Sequence, residues 1–419
     1  MIEFELEQQL RSCKTASLAL RATSQEKKNQ VLAQAAMLLK KRSLELIRAN
    51  QEDLAALPAE ATSAFRDRLL INESRVLQMI ESLEQVKALP DPVGEELDLK
   101  VLENGLKMKR VRSPLGVILM IFESRPNVAI EAFSLAFKAG NVIILRGGKE
   151  SMRSTSVIYS ILSEALVSAG LSKDCLWGIT DPDRAITHKL LKSKKWIDIV
   201  VPRGGDKLIE YVVENSLIPI IKNDRGVCHV YVHEDADQEM ALEIVDNAKT
   251  SRPGVCNSME TVLVHEKLSP SFIPALYAKL EPMKVRWHAC PKTVALLSGK
   301  KNVQVATAQD WDSEYLDLIM NCRVVASLEE AIEHIDQHGS KHSEAIVTST
   351  APVARLFQSE VDAAAVYWNA STRFTDGFEM GLGGELGIST QKLHVRGPVG
   401  LRELTSVRWI IDGEGQVRK

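Results

Sequence analysis

The spacing of apolar residues divides the chain into a helical beginning and a longer part in which strands and helices alternate. Up to about residue 90, apolar residues recur every three to four positions, as in residues 31–39, which predicts amphipathic helices. Beyond Gly116, short and wholly apolar runs such as 117–121 and 142–145 alternate with helical periods. Such runs are typical of strands buried on both faces of a parallel sheet. The alternation therefore predicts a doubly wound α/β sheet, an architecture that commonly binds a nucleotide.

A hairpin signal precedes this sheet, and a strand-like segment lies near the end of the chain. Asn104-Gly105 separates two alternating segments, which predicts a hairpin arm over about 97–113. Residues 387–409 also alternate apolar and polar positions and can pair with this hairpin or with the sheet edge of a partner. We expect from these segments a small β flap that assembles the chain into at least a dimer.

The composition fits an enzyme of two or three domains. The chain has 419 residues, with 45% hydrophobic and 26% charged residues, and a net charge of −3 gives no basic footprint for nucleic acid. Its six cysteines have no paired spacing, which argues against a disulfide scaffold or a zinc site. The acidic N-terminus shows no secretory signal, and no apolar run reaches the ~20 residues of a membrane span. We expect a cytoplasmic protein with neither a metal nor a membrane partner.

Cys256 is the strongest candidate for covalent chemistry. It follows Pro253-Gly254, a pair that rigidifies the chain, and its other neighbours include the cation Arg252 and the amide Asn257. Thiolate is the nucleophilic form of cysteine, and positive surroundings favour it. The local sequence is compatible both with a catalytic nucleophile and with a buried cysteine that packs as a small hydrophobe.

Two glycine pairs lie where a strand is expected to lead into a helix: Gly147-Gly148, between Arg146 and Lys149, and Gly204-Gly205. Glycines let backbone N–H groups approach an anion, and a helix N-terminus favours negative charge. The cations Arg146 and Lys149 suit a nucleotide with an extra phosphate, such as NADP; the alternative is two ordinary tight turns with solvated charges. Neither a G-x-G-x-x-G fingerprint nor a Walker A motif is present, so a kinase is not indicated.

The order of these segments resembles that of the aldehyde dehydrogenase superfamily across nearly the whole chain. The matching segments are 114–117, 138–146 and 234–237, together with Cys256 and Glu314. The resemblance implies that superfamily's fold, with two Rossmann-like doubly wound domains and a small β oligomerisation flap. It places Cys256 on the nucleophile, Glu314 on the glutamate that holds the nicotinamide ribose, and Arg146 on a lysine that contacts the adenosine ribose.

The domain boundaries expected from this resemblance follow the two α/β runs, the second of which begins near Val227. We expect an NADP-binding domain over 1–226 and a catalytic domain over 227–368. The remaining segment, 369–419, is expected to supply a substrate loop and oligomerisation strands.

Five longer segments resemble more closely the branch of the superfamily that reduces L-glutamyl 5-phosphate. They are 123–128, 252–257, 342–347, 369–377 and 389–398. This resemblance implies NADPH-dependent reduction of that acyl phosphate to L-glutamate 5-semialdehyde and phosphate, the second step of proline biosynthesis. The chain has no room for a fused kinase domain, so a separate glutamate 5-kinase would supply the substrate and is a candidate for transient contact.

Two departures from the superfamily pattern bear on the chemistry. Hydrolytic aldehyde dehydrogenases carry a glutamate that activates water, and a gap-free count from Glu234 places Asn223 there, beside Asp224. An amide cannot act as that general base, which favours exchange of the thioester with phosphate. The superfamily's oxyanion-hole asparagine is also missing, since Ser124 stands near its register. The backbone N–H of Cys256 is therefore the expected donor.

Three arginines in the matching loops are candidates for the substrate's phosphate and α-carboxylate: Arg125, Arg252 and Arg373. A guanidinium can bind either group through two hydrogen bonds, although each arginine could instead form a structural ion pair. Asn127 and Asn257 complete the expected substrate site. His342, by contrast, is expected to be a hydrogen-bonded residue at a helix-to-strand junction.

Two other functions stay open from the sequence. One is a hydrolytic NAD(P)-dependent aldehyde dehydrogenase, which phosphate-independent activity would reveal. The other is a nucleotide-binding scaffold that kept the fold without the chemistry, against which the intact segment around Cys256 argues.

Overall fold

The computed structural model describes residues 2–222 and 225–418 and divides the chain into two compact units. The first unit comprises Met1–Asn223, Gly381–Gly387 and Val399–Lys419, and the second comprises Asp224–Met380 and Ile388–Pro398. The sequence placed the first boundary at residue 226 and a separate C-terminal segment over 369–419. The structure divides that segment between the units, because residues 405–412 pair with a strand of the first unit while residues 388–398 contain a small hairpin.

The described residues form fourteen α-helices, sixteen strands and five short 3-10 helices. The α-helices are α1 (Ile2–Leu20), α2 (Gln25–Lys41), α3 (Ser43–Ala55), α4 (Ser63–Leu69), α5 (Glu73–Ala88), α6 (Val128–Lys138), α7 (Met152–Ser168), α8 (Arg184–Lys192), α9 (Asp206–Asn215), α10 (Gln238–Thr250), α11 (Ser269–Leu280), α12 (Pro291–Leu296), α13 (Leu328–His338) and α14 (Ala351–Glu360). The strands are β1 (Glu96–Val101), β2 (Lys107–Pro114), β3 (Val117–Phe122), β4 (Val142–Arg146), β5 (Leu176–Ile179), β6 (Ile199–Arg203), β7 (Cys228–Val232), β8 (Met259–His265), β9 (Arg286–Ala289), β10 (Val303–Val305), β11 (Ile319–Val325), β12 (Ser343–Val347), β13 (Ala365–Trp368), β14 (Ile388–Ser389), β15 (Gly397–Pro398) and β16 (Thr405–Asp412). The 3-10 helices are Lys149–Ser151, Lys173–Cys175, Glu281–Met283, Ala308–Asp312 and Thr372–Phe374.

The helices that begin the chain start at polar caps and bury one apolar stripe each. Ser24, Thr62 and Asn72 each accept a hydrogen bond from a backbone N–H in the first turn of the helix that follows. These bonds satisfy donors that a helix N-terminus otherwise leaves unpaired. Apolar residues of α2, such as Val31 and Leu32, are fully buried where that helix packs on α5 and α7. The predicted helical character of this part of the chain is confirmed.

The first unit contains a four-stranded parallel sheet in the order β5-β4-β3-β6. Its central strand β3 is buried along its whole length, as its unbroken apolar run predicts. The chain runs outward from β3 through β4 to β5 and then crosses back to β6. In such doubly wound sheets, ligands bind outside the carboxyl ends of the strands where the order reverses, which here is between β3 and β6.

A separate three-stranded antiparallel sheet in the first unit joins residues 96–114 to residues 405–412. Strand β1 pairs with β2 through the predicted Asn104-Gly105 hairpin, and β16 pairs with the other edge of β2. Gly105 has φ +86°, a left-handed conformation that favours glycine. The hairpin is confirmed, and the alternating segment near the C-terminus pairs with it, although only residues 405–409 of that segment lie in β16, which continues to Asp412.

The second unit is built on a seven-stranded sheet in which every pairing is parallel, in the order β10-β9-β11-β8-β7-β12-β13. Strand β8, which follows Cys256, is wholly buried between neighbours β11 and β7. One apolar cluster includes Phe272 and Trp287, and another includes Tyr231 and Phe357. In the part of the chain that the structure describes, no helix is long and apolar enough to cross a membrane.

Candidate active site

Cys256 lies in the turn that joins the C-terminal end of α10 to the start of β8, in the second unit. We call residues 251–257 the thiol loop. Cys256 is partly buried, and the backbone N–H of Ser258 donates to the carbonyl of Val255 at 3.1 Å. The Ser258 hydroxyl donates to the carbonyl of Ala248 at 3.2 Å, which ties the loop to the last turn of α10. The loop therefore has a defined conformation that leaves the thiol accessible.

The backbone of Gly226 passes directly against the backbone of Cys256. A Cβ atom added to Gly226 would lie 1.5 Å from the carbonyl oxygen of Cys256 and 2.9 Å from its Cα. Only a residue without a side chain fits such a close approach of two backbones. The role of Gly226 is not visible in the sequence, because the contact joins parts of the chain that are distant in sequence.

Glu314 is anchored beside this contact. Its Oε1 accepts a hydrogen bond from the backbone N–H of Gly226 at 2.8 Å. The same glycine therefore touches the backbone of Cys256 on one side and holds the carboxylate of Glu314 on the other. The structure brings the predicted nucleophile and the predicted ribose ligand into one neighbourhood of the second unit. The assignment of Glu314 to the ribose itself stays a prediction.

The amide of Asn257 connects the thiol loop to a second loop, residues 371–376. Its Nδ2 donates to the carbonyl of Thr375 at 2.8 Å, and its Oδ1 accepts from the guanidinium of Arg373. Thr372 Oγ1 donates to the carbonyl of Asn257 at 2.7 Å. Because both ends of this amide are engaged by protein groups, Asn257 acts on the site by fixing Arg373. Its direct contact with a substrate stays a prediction.

Two cations lie near the thiol. Arg373 also donates from Nε to the Ser251 hydroxyl at 3.2 Å. Burial lowers the pKa of Arg373, and the charge of nearby Arg252 lowers it further, while the charges of Asp376 and of a Cys256 thiolate oppose the shift. Arg252 is exposed. Cationic surroundings stabilise a thiolate over a thiol, so this arrangement suits a nucleophilic cysteine.

Arg125 lies in the first unit, just beyond the carboxyl end of β3. Burial lowers its pKa, and the neighbouring charges of Arg203 and Arg68 lower it further. Within the described residues its guanidinium makes no hydrogen bond and no ion pair. A half-buried cation without a partner is suited to bind an anion. Asn127, two residues on, donates from Nδ2 to Glu131 at 2.9 Å and is half-buried.

The turn after β6 is shaped by glycine. A Cβ on Gly204 would lie 2.6 Å from Leu208 and 2.7 Å from the carboxyl carbon of Glu123, so a side chain would displace both. Gly205 precedes α9, and no side chain caps the first backbone N–H groups of that helix. Because this turn adjoins the position where the strand order reverses, those N–H groups face the region where a nucleotide is expected.

The turn after β4 places its two cations differently. Arg146 is buried, and it donates to the carbonyls of Gly147 and of Pro182, the second at 3.0 Å. Its Nε is buried without a partner in the part of the chain described. Lys149 is exposed. Arg146 thus braces the turns that follow β4 and β5, and it keeps one donor for a bound group, whereas Lys149 is open to solvent.

Four other residues singled out from the sequence either have defined contacts or lie outside the described residues. Ser124 donates its hydroxyl to Glu150 at 3.0 Å. His342 is fully buried before β12, where its Nδ1 contacts the Ser343 hydroxyl at 2.8 Å, so the predicted junction role is confirmed. Asn223 and Asp224, on which the argument against hydrolysis depends, lie outside the described residues.

Comparisons with known proteins agree with this architecture. The aldehyde dehydrogenase family model matches residues 3–305. Proteins named gamma-glutamyl phosphate reductase are 47% identical in Moorella thermoacetica, over all of both chains, and 48% identical in Carboxydothermus hydrogenoformans, over 97% of this chain and 98% of that one. The crystal structure of the protein of that name from Thermotoga maritima has a TM-score of 0.96 at 42% identity, covering 99% of this chain and all of the other.

The chain belongs to the aldehyde dehydrogenase family. An acetylating aldehyde dehydrogenase from Geobacillus thermoglucosidasius has the same fold, with a TM-score of 0.72 at 19% identity. Within the family, the identities over nearly the full length place this chain among the gamma-glutamyl phosphate reductases.

Proposed function

We propose that the chain reduces L-glutamyl 5-phosphate to L-glutamate 5-semialdehyde and phosphate through a thioester on Cys256, in the second step of proline biosynthesis. The observation that carries the mechanism is the thiol loop itself: an accessible cysteine beside Arg373, with its backbone fixed against Gly226. Relatives at 44% to 48% identity over nearly the whole chain carry the reductase name, which supports the choice of substrate.

In the first half of the reaction, the Cys256 thiolate attacks the acyl carbon of the substrate. The new C–S bond forms, and the C–O bond to phosphate breaks with its electron pair leaving on phosphate. We assign stabilisation of the oxyanion to the backbone N–H of Cys256, because it belongs to the same residue as the attacking sulfur. In the second half, the thioester carbon gains a C–H bond by accepting a hydride, and the C–S bond then breaks as the carbonyl forms again. The electron pair of that bond returns to sulfur, which releases the aldehyde and restores the thiolate.

The residues of the first unit fit a nicotinamide dinucleotide. In the Gly204-Gly205 turn, a Cβ on Gly204 would occupy space that the glycine leaves open, and Gly205 gives the N-terminus of α9 no side-chain cap. Among the described residues, Arg146 keeps one buried donor without a partner. When bound, the cofactor supplies the two electrons of the reduction. Lys149, exposed at the turn after β4, would meet an extra phosphate, which supports NADP over NAD.

The substrate is an anion at both ends, so its recognition requires cations. Arg373 and Arg252 lie beside the thiol loop, and Arg125 lies unpaired at the carboxyl end of β3. We assign the phosphate to Arg373, because phosphate is the group that leaves from the carbon attached to sulfur. Arg125 and Arg252 are assigned to the α-carboxylate and to general attraction of the anion.

The central test measures NADP reduction by glutamate semialdehyde with and without phosphate. We expect a strict requirement for phosphate and loss of activity in Cys256→Ser. Cys290→Ser is the matched control, because Cys290 is the other partly buried cysteine among the described residues and lies outside the proposed site. Full activity without phosphate would overturn this proposal and indicate a hydrolytic dehydrogenase. In that case Asn223→Glu should leave the rate of hydrolysis unchanged, whereas in a phosphate-dependent enzyme it should introduce hydrolysis.

Cofactor choice is tested through Lys149. Lys149→Ala should raise the KM for NADPH by about ten-fold and leave that for NADH nearly unchanged, since one ion pair to a phosphate is lost. Lys192→Ala, which removes an exposed lysine at the end of α8, should change neither value. Equal effects of Lys149→Ala on the two cofactors would remove the argument for NADP from this turn.

The three-stranded sheet is proposed to assemble copies of the chain. Val407, Trp409 and Ile411 share one face of β16, by strand alternation, and are 44%, 55% and 52% exposed. A second copy that covers this face would remove exposed apolar area from water. Trp409→Ser should lower the oligomeric state in sedimentation experiments, while Val417→Ser, which changes an exposed valine outside the sheet, should not.

Contact with a glutamate 5-kinase, which would protect the labile acyl phosphate, can be measured in the same sedimentation experiment by adding that kinase.

A further inference from the structure

Residues 342–347 resemble a segment of the family, yet neither the nucleophile nor the anion sites proposed above use them. His342 and Ser343 are both fully buried where the chain enters β12. Two polar side chains in such a position must find partners inside the protein. Those partners lead in one direction to Cys256 and in the other to the loop that carries Arg373.

The first direction runs through a second cysteine. Cys228, fully buried at the start of β7, donates from Sγ to the carbonyl oxygen of Cys256 at 3.2 Å. Its Sγ also lies 3.8 Å from Nδ1 of His342, and that nitrogen contacts the Ser343 hydroxyl at 2.8 Å. A pathway of polar contacts thus begins at the carbonyl of the nucleophile and reaches Ser343.

The second direction closes a ring. The Ser343 hydroxyl donates to Thr375 Oγ1 at 2.7 Å, and the carbonyl of Thr375 accepts from Asn257 Nδ2 at 2.8 Å. Asn257 is joined by a peptide bond to Cys256, where the pathway began. We call this closed set of contacts the thiol ring; its members are Cys256, Cys228, His342, Ser343, Thr375 and Asn257.

The groups of the thiol ring have compatible donor and acceptor roles, with Cys228 donating to the Cys256 carbonyl and Asn257 donating to the Thr375 carbonyl. With the Nδ1 proton on His342, that nitrogen donates to Ser343, and Ser343 donates to Thr375; this tautomer follows from the donor that Ser343 must use toward Thr375. Hydrogen bonds linked in this way strengthen one another where water is excluded. Cys228, His342, Ser343 and Thr375 each have no exposed surface. The part of the ring from His342 through Ser343 to Thr375 therefore resists distortion more than separate bonds would.

We propose that Ser343 and Thr375 are positioning residues that hold the Cys256 thiol and the Arg373 guanidinium in one fixed arrangement. Arg373 follows Thr372, whose hydroxyl donates to the Asn257 carbonyl at 2.7 Å. The Arg373 guanidinium itself donates to Asn257 Oδ1, so it is bonded directly to a member of the thiol ring. Loosening the ring frees both the carbonyl of Cys256 and the loop of Arg373. The assignment rests on the proposed function of Cys256 as nucleophile.

A positioning role makes a prediction that a purely structural role does not. Arg373 favours the thiolate by its charge, so a loosened Arg373 should shift thiolate formation at Cys256 to higher pH. The same loosening should weaken binding of phosphate in the reverse reaction. A contact that only stabilised the fold would lower the free energy of unfolding and leave both quantities unchanged.

The test compares Thr375→Val, which removes the hydroxyl at nearly constant volume, with Thr375→Ser, which keeps it. Tyr367→Phe is the matched control, because the Tyr367 hydroxyl contacts Thr375 Oγ1 at 2.8 Å from outside the ring. Cys256 alkylation by iodoacetamide is followed against pH by mass spectrometry of its peptide, and urea unfolding measures stability. Alkylation needs no substrate, so its result is separate from that of the phosphate-dependence test of the proposed function.

In Thr375→Val we expect Cys256 to react with iodoacetamide about two- to ten-fold more slowly at neutral pH, with the pH profile of the reaction shifted to higher pH. The KM of this variant for phosphate should be raised. Thr375→Ser and Tyr367→Phe should match the wild type in both measurements. If Thr375→Val does not fold, Ser343→Ala removes the neighbouring donor and should give the same displacement. A folded Thr375→Val or Ser343→Ala protein with a wild-type alkylation profile would overturn the proposal, as would an equal displacement in Tyr367→Phe.

Discussion

The close approach of Gly226 to Cys256 predicts that Gly226→Ala disables the enzyme more than it unfolds it. The added Cβ would lie 1.5 Å from the Cys256 carbonyl oxygen and 2.4 Å from the carbonyl carbon. The first distance is about 2 Å short of the ~3.5 Å at which such atoms normally meet. The three atoms that this Cβ would meet all belong to the backbone of Cys256, so no change of side-chain rotamer can relieve the overlap.

One of the two backbones must therefore move by roughly the size of the overlap. Overpacking of this kind costs about 3 kcal/mol of unfolding free energy, and a nucleophile displaced by ~1 Å can lose about 100-fold in rate. Movement of residue 226 would also break the 2.8 Å hydrogen bond from its N–H to Glu314, which should raise the KM for the cofactor. We expect kcat/KM to fall by about 100-fold or more in protein that remains folded at neutral pH.

The assay combines steady-state kinetics, alkylation of Cys256 and urea unfolding on the same preparation. Gly178→Ala is the matched control, because its Cβ would lie 2.1 Å from the ring of Tyr159, an overlap of similar size in the first unit. That variant should lose stability while its folded fraction alkylates normally. Gly226→Ala protein with alkylation and kcat/KM within about two-fold of the wild type would refute the inference that this glycine sets the position of the thiol.

Three further outcomes concern charged side chains. Lys249→Met leaves the carboxyl of Glu260 buried without its 2.8 Å partner, and urea unfolding should show a loss of about 3–5 kcal/mol, smaller when Glu260→Leu is added. Burial raises the pKa of Asp310, but hydrogen bonds from Thr307 and Tyr315 outweigh burial and lower that pKa to about 2. Its stabilisation of about 2 kcal/mol should be complete above pH ~4 and be lost as the pH falls through 2, a dependence that unfolding of Asp310→Asn should lack. Arg125→Ala should raise the KM for the acyl phosphate by about ten-fold or more and lower kcat less, and an unchanged KM would remove Arg125 from the substrate site.

The elements that the sequence predicted are those whose local pattern is strong. Strands β3 and β4 are unbroken apolar runs, and Asn104-Gly105 has the turn chemistry that a hairpin requires. Strand β9 was not foreseen, because its four residues mix the exposed Arg286 with the buried Trp287 and resemble neither template. Its place in the sheet depends on pairing with β11, a distant partner that a local pattern does not identify.

The same distinction applies to the site. The thiol loop could be recognised locally, since a cysteine, an arginine and a Pro-Gly pair occur within five positions. The contacts that fix it join distant segments: Asn257 and Thr375 are 118 positions apart, and Gly226 and Glu314 are 88 apart. The sequence placed Asn257 in the substrate site, and the structure adds that its amide bonds to the loop around Arg373, while its contact with a substrate stays a prediction. A single sequence does not reveal which distant backbone groups will use a given amide.

The pairing of β16 with β2 has a consequence for how the chain folds during synthesis. Residues 405–412 complete the three-stranded sheet of the first unit, and Asn141, buried in the same unit, donates to the carbonyl of Leu404 at 2.8 Å. The first unit therefore cannot finish folding until residues 404–412 have left the ribosome, although its larger part is made first. Contacts over such sequence separations form slowly, and the unpaired edge of β2 stays exposed meanwhile. A chain that stops before residue 404, and so lacks β16, should accumulate as aggregate rather than as a smaller active enzyme.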